Sequence, residues 1–485
     1  MSIKKNFAYN GILTVSNYLF PLLVYPYVSR VLGVTNIGIC NYVDSIINYF
    51  ILFSMMGISA TGIREIAAHR DNRDKMDGVF TSLLYLNAIF TLVAALVLVG
   101  VIYCVPQFFE YRRLMWIGVV KLLGNLFLCE WLFRGVEYFR YITKRTIAIK
   151  LIYILLVFLC VRKQADYVLY FLLTSLSVVA NALVNCYCSR RLASLRPAMI
   201  HISPYLKSFL TVGVYLILSS FYTSFNVLFL GLVAGPTEVG YYTTATKLFT
   251  IVISIYTAFT QVMLPRMSAL YAQGERDAFL QVIHKSESVL LSLSIPLVIF
   301  CLVFAPDIIA VFAGAGYEGA YIPTRVMMPL IFIIGYEQIL VLQILMPMKK
   351  DVEIFLNAFI GALVGVGLNL YIVHAMGWHS VGSAVVWLIS EVVVLLSAQY
   401  WTRRTTGQRF PVRMFLRNVT AYAPVAIVCL LIYVCTPSVA PLIRLLIAGT
   451  AFLLVSLGVQ IRFVKDETLM QMIDKVSNKF KYINS

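Results

Sequence analysis

Charged side chains inside apolar helices are where this chain can do chemistry, and there are few of them. Arg30, Asp44, Lys121, Glu130, Lys247, Glu337 and Glu391 stand within stretches built from Leu, Ile, Val, Phe and Tyr. A charge in a membrane span is expensive, and it marks a cavity, an ion path or a pair. Arg30, Lys247 and the neighbouring Arg64 together would form a cationic cavity for an anionic headgroup, with Asp44 tuning that site or coupling it to an ion. The competing reading is that Arg30 snorkels to the outer interface, that Asp44 pairs with Lys247 or Arg30, and that Arg64 is an ordinary interfacial anchor. Glu337 and Glu391, each in mid-span, are candidates for ion coupling by H+ or Na+ and equally for hydrogen-bonded structural acids. Glu130 and Arg134 are four residues apart in CEWLFRG, the spacing of a local ion pair on one helix.

Other chemistries are poorly supplied. The nine cysteines are scattered singly, mostly within apolar runs, and the one close pair, Cys186 and Cys188, has no partner pair or histidine. They read as small apolar residues rather than metal ligands. The five histidines form no cluster. GALVGVG (361–367) has glycines, but it lies inside an apolar run with no strand before it, so helix packing explains it. No Walker motif, metal site or nucleophile–base pattern is present, so the expectation is a non-enzyme without cofactor.

The elements that must position these charges are transmembrane helices. Of 485 residues, 60% are hydrophobic and 13% charged, with mean hydropathy +0.85, far from the balance of a soluble domain. Apolar runs near twenty residues recur, each long enough to cross a bilayer core. The spacing predicts an all-α polytopic membrane protein of about fourteen spans between residues 11 and 462, the fifth (147–161) being short. Pro21 and Pro26 are expected to break the first span. No cleaved signal is read at the N-terminus, because the apolar run continues to Leu32.

Of 39 Lys and Arg residues, 30 fall on alternate connections that include both termini, and 7 on the opposite set, which includes Lys121. The net charge of +17 therefore reads as positive-inside bias rather than nucleic-acid binding, and both termini are expected in the cytoplasm. The tail places Leu469, Met472, Ile473, Val476 and Phe480 on one face, as in a helix lying on the inner leaflet.

An internal repeat organises the chain. LGVTNIG (32–38) and AGPTEVG (234–240) align at a shift of 202, which superposes Gly33, Thr35 and Gly38 on Gly235, Thr237 and Gly240. The same shift carries Arg64 to Arg266 and Ala67 to Ala269. Each motif is the short outer turn between two spans. At 1.5 Å per residue, Asp44 lies about 9 Å below the first turn and Lys247 about 10 Å below the second. Six spans per repeat give two parallel lobes, expected at 1–195 and 196–401, with the basic segment 189–207 linking them. Two further spans (402–462) and a cytoplasmic tail (463–485) follow. Parallel-repeat transporters bind substrate between such lobes.

The opening KKNFAYNGILTVSNYLFPLLVYPYVSRVLGVTNIG, then GIREIA (62–67), GPTEVGYYTTATKLF (235–249) and LPRMSALYAQG (264–274), resembles the Wzx-type polysaccharide repeat-unit flippases. These belong to the multidrug/oligosaccharidyl-lipid/polysaccharide exporter superfamily. The resemblance implies two lobes around a central cavity in the bacterial inner membrane. It implies a substrate of undecaprenyl-diphosphate-linked oligosaccharide, destined for O-antigen, capsule or other envelope polysaccharide. Partners implied are membrane lipids, a polysaccharide polymerase and assembly proteins, with no nucleic acid. Related lipid II flippases carry cavity arginines where this chain has Arg30, Arg64 and Lys247. Two other functions compete: an ion-coupled multidrug exporter, which would favour an acidic cavity, and an O-antigen polymerase or ligase, which would need longer outer loops than this chain has.

Overall fold

The computed structural model describes residues 3–464, so the surface helix expected at 469–480 lies outside the described residues. All their regular structure is helical. Eleven stretches are long and apolar enough to cross a membrane. The first of these holds two expected spans. Two more helices, Phe139–Cys160 and Pro236–Ala272, cover the remaining two of the fourteen. The chain forms two compact units that meet in sequence between Thr243 and Thr244.

The first unit holds α1 (Ile3–Met55), α2 (Ile58–His69), α3 (Arg73–Cys104), α4 (Arg112–Leu126), α5 (Glu130–Gly135), α6 (Phe139–Cys160), α7 (Tyr167–Leu192), α8 (Ser203–Thr223), α9 (Phe225–Val233) and the start of α10 (Pro236–Ala272). The helix α1 corrects the proline expectation. It runs through Pro21 and Pro26 and departs from helical geometry only at Gly33 (φ 76, ψ 167). Each proline removes one helical donor, which a packed membrane helix tolerates. The φ of Gly33 is one that side-chain-bearing residues resist, so the bend falls there. A second break follows at Met56 and Gly57, where the Gly57 N–H donates to the Phe209 carbonyl of α8 at 3.1 Å. An added Cβ at Gly57 would lie 2.5 Å from that oxygen. In the second repeat α10 runs unbroken.

The short fifth span is in fact a helix of 22 residues. Arg145, expected in a loop, is one of its buried residues. The segment 193–202, part of the expected linker, docks on α3. The buried Asp77 accepts the Ser194 N–H at 2.9 Å and pairs with Arg196 at 3.1 Å, and the Arg196 N–H donates to Thr81 at 3.0 Å. An apolar core of Phe80, Leu83, Trp131, Phe133, Ile142 and Phe209 joins α2, α3, α5, α6 and α8.

The second unit continues α10 and holds α11 (Arg276–Phe312), α12 (Tyr321–Met327), α13 (Leu330–Gln338), α14 (Asp351–Leu368), α15 (His379–Thr406), α16 (Val412–Ala421), α17 (Ala423–Cys435) and α18 (Pro441–Val459). Wider π turns follow α13 at Ile339–Leu345 and α14 at Asn369–Ala375. The last two spans pack on α11 through Phe304, Tyr422, Val425 and Ala448. Arg444 locks them there by pairing with the buried Asp307 at 3.1 Å and donating to the Pro437 carbonyl at 2.7 Å.

Candidate functional site

In the first unit the two repeat motifs touch. Thr35 and Thr237 hydroxyls are 2.9 Å apart, and Asn41 donates to Thr243 at 2.8 Å. Both pairs are separated by the 202 residues of the repeat. Gly38 packs against the Pro236 carbonyl and Gly240 against the Val34 carbonyl, each so close that a Cβ would collide with backbone. Residues related by the repeat thus face each other about a local two-fold at the turn. Gly33 and Gly235 both hold positive φ, 76° and 85°.

Arg30 lies one turn before this bend. Its side chain is exposed and folds back, with Nη1 donating to the Pro26 carbonyl at 2.5 Å. The guanidinium therefore points into the span and away from the turn at Gly33, opposite to the direction expected of a side chain snorkelling outward.

Asp44 is paired, but with neither of the expected partners. Lys121 of α4 reaches its Oδ1 at 2.6 Å. Asn48, one turn along α1, donates to Oδ2 at 3.0 Å and accepts from Lys121 at 3.2 Å. Lys121 had been counted with the outer-connection cations; it sits inside α4 and is 7% exposed. The triad closes on itself: the buried ammonium of Lys121 meets the half-buried carboxylate of Asp44, and one amide bridges them. Asn48 was not singled out from sequence, although its spacing of four from Asp44 was available.

Arg64 of α2 is exposed. It pairs with its neighbour Glu65 at 2.9 Å and reaches Ser208 of α8 at 3.2 Å. Ser208 also bonds Thr61 at 3.0 Å. Glu130 makes the expected bond to Arg134, at 3.4 Å, and a shorter one to Arg145, at 2.7 Å. Arg145 also bonds Asn185 of α7.

In the second unit Lys247 lies on α10, half-buried. Glu337 on α13 and Glu391 on α15 stand on helices that pack against each other. Trp387 donates to Glu391 Oε1 at 3.0 Å, while Glu391 Oε2 is buried with no hydrogen-bond partner among the described residues. Beside Glu337, Gln338 bridges Thr257 at 3.1 Å and Thr260 at 2.8 Å on α10. The π turn that begins at Ile339 rotates the helix immediately after these two residues. Such turns widen a helix where side chains must be re-aimed. Two neighbouring carboxyl groups in a low-dielectric setting suit the holding of a shared proton or a small cation.

A further buried acid escaped the sequence reading. Glu287 of α11 is 1% exposed. Its carboxyl lies 3.2 Å from His284 Nδ1 and 3.4 Å from the Tyr336 hydroxyl, which is 3.0 Å from Gln399. The long apolar run of this span begins just after Glu287 in the sequence, so the acid reads as interfacial, whereas α11 starts at Arg276 and carries it into the packed part of the helix.

Residues 3–271 match the family model of polysaccharide biosynthesis proteins. A protein of Escherichia coli (strain K12) named "Putative O-antigen transporter" is 26% identical over 400 residues, covering 81% of this chain and 95% of that one. A Shigella dysenteriae protein of the same name is 23% identical, covering 81% and 98%. Among solved structures, the lipid II flippase MurJ in an inward closed conformation aligns with TM-score 0.75 at 13% identity, covering 94% of this chain and 99% of that one. An inward-facing multidrug resistance MATE transporter aligns with TM-score 0.62 at 17% identity, covering 81% and 94%. The fold is therefore that of the flippases and multidrug exporters. The chain, with its many membrane-spanning helices, belongs to the polysaccharide biosynthesis protein family.

Proposed function

We propose that this chain carries oligosaccharide repeat units linked to undecaprenyl diphosphate from the inner to the outer leaflet of the bacterial plasma membrane. Transport proceeds by alternating access and draws on an ion gradient or the membrane potential. The observation that carries this reading is Arg30, whose guanidinium is turned into the span rather than out to the interface. A diphosphate that leaves water needs cationic donors that replace its hydration, and arginine offers them in a fork. Arg30, Arg64 and Lys247 fill that role. The names of the E. coli and Shigella relatives support an O-antigen-type glycan as cargo.

Asp44 takes a narrower part than coupling. With Lys121 and Asn48 it positions the half of α1 that follows the Gly33 bend. The coupling ion, H+ or Na+, is assigned to Glu337 and Glu391. Both termini lie in the cytoplasm, in keeping with the distribution of Lys and Arg.

The test is surface glycan in a strain that lacks its own transporter. Arg30→Ala and Lys247→Ala should each abolish it while the lipid-linked repeat unit accumulates inside and the protein remains in the membrane. Full surface glycan in both variants overturns the cationic site. The acidic pair favours one second reading, export of cationic drugs. Ethidium efflux that depends on Glu391 and is indifferent to Arg30 would establish that reading instead.

A further inference from the structure

A cleft of 1060 Å³ opens on the first unit, at the charge-rich ends of α2, α5, α6 and α7, and the transport site described above does not use it. Its floor is Arg145, held by Glu130. Its rim carries the Arg70–Glu137 pair, 3.0 Å apart and exposed. Arg140 and Lys144, four residues apart on α6, line one wall. Both are exposed, and neither has a hydrogen bond or ion pair among the described residues. With Arg70 and Arg145 they make four cations on the lining against two acids, Asp71 and Glu137, so the cleft is positive on balance.

Two features say what kind of anion fits. Tyr138 and Tyr141 stack beside these cations, with ring centroids 5.5 Å apart and planes 12° from parallel. Tyrosines at this level characterise the membrane–water interface. Beyond the cleft, through Ile149 and Val184, α6 and α7 present apolar side chains outward: Ile152, Leu155, Leu183 and Tyr187 are each more than half exposed. A basic pocket whose lip continues into a lipid-facing apolar wall fits a molecule with a negative head and acyl chains. A soluble anion would leave that wall unused.

We propose that this cleft binds the headgroup of an anionic phospholipid of the inner leaflet, with its phosphate on Arg140 and Lys144 and its chains along α6 and α7. Basic pockets between helices on the cytoplasmic side commonly hold such headgroups. This site stands independently of the transported cargo.

The experiment is native mass spectrometry of the full-length protein in detergent with equimolar cardiolipin and phosphatidylcholine. Cardiolipin should be retained about tenfold or more over phosphatidylcholine, the size expected from two basic residues at a lipid surface. Arg140→Gln/Lys144→Gln should bring the two lipids near parity, while Arg404→Gln on α15 should not. Both altered residues are exposed, and an unchanged unfolding temperature shows that the double variant is folded. Undiminished cardiolipin preference in that variant overturns the proposal. So does displacement of cardiolipin by equimolar undecaprenyl diphosphate, which would assign the cleft to the cargo, or by millimolar inorganic phosphate, which would show that the acyl wall plays no part.

Discussion

Gly38 and Pro236 are in backbone contact: a Cβ on Gly38 would lie 1.8 Å from the Pro236 carbonyl oxygen. The nearest atoms are main chain and cannot rotate away. Gly38→Ala should therefore push the two repeat motifs apart and destabilise the first unit by about 1–3 kcal/mol. Gly100→Ala in α3, where a Cβ meets nothing within 4 Å, serves as control and should hold or slightly raise stability. Thermal unfolding in detergent reads both. Equal midpoints for the two variants would refute the close-contact account.

The same turn can be locked. Thr35→Cys/Thr237→Cys places two thiols where the hydroxyls are 2.9 Å apart. Oxidation should cross-link them in membranes without added linker. If the turn separates during transport, the oxidised variant loses surface glycan and a reductant restores it. Full activity in the cross-linked state would mean that the turn stays closed throughout the cycle.

Asp44 and Lys121 should behave as one unit. Asp44→Asn leaves a buried lysine with no counter-charge, and Lys121→Met leaves the carboxylate. Each single change should lower stability by about 2–4 kcal/mol, whereas the double change should cost less than the sum. Unfolding midpoints of the four proteins give the coupling. Additive effects would show that the pair contributes nothing as a pair.

Glu337 and Glu391 carry the coupling prediction. Glu391→Gln keeps the Trp387 contact but removes the charge, and Glu337→Gln removes its neighbour's. In proteoliposomes with an imposed gradient, either variant should transport at a rate that no longer responds to the gradient. A gradient response equal to wild type in both would move coupling elsewhere, with Glu287 the next residue to alter.

Asp77 latches the segment 193–202 to α3. Asp77→Ala leaves the Ser194 N–H without its acceptor and Arg196 with Asp74 as its one remaining carboxylate, at 2.8 Å, and should cost about 1–3 kcal/mol. The released segment should also become cleavable between Leu192 and Ser203 in limited proteolysis. Protection equal to wild type would contradict the latch.

The span plan was legible because hydrophobic runs and basic clusters are set by the bilayer itself. Each expected span lies over a helix, and the repeat at 202 residues marks a real contact between its two copies. What the sequence hid was partnership. Lys121 is visible in the sequence as a charge inside a span, but nothing local names its partner, and only packing of α4 on α1 brings it to Asp44. The bend at Gly33 rather than Pro21 or Pro26 follows from how neighbouring helices support a proline, which no local pattern displays. Glu287 and Arg145 were missed for a shared reason: an error of a few residues in a span boundary decides whether a charge reads as loop or as core. Glu130–Arg134 was read correctly because both partners lie on one turn of helix.

The contact of Thr35 with Thr237 has an evolutionary reading. When a residue touches its own counterpart in a repeat, a half-length ancestor could have made the same contact with a second copy of itself, as in a homodimer. In such a dimer every charge on one subunit is obliged to appear on the other. Fusion into one chain lifts that obligation. Here the counterparts of Arg30 and Asp44 are Leu232 and Thr246, and Lys247 stands opposite Ser45. The join at the turn stayed symmetric while the charges around it diverged, a freedom that a fused gene has and a symmetric dimer lacks.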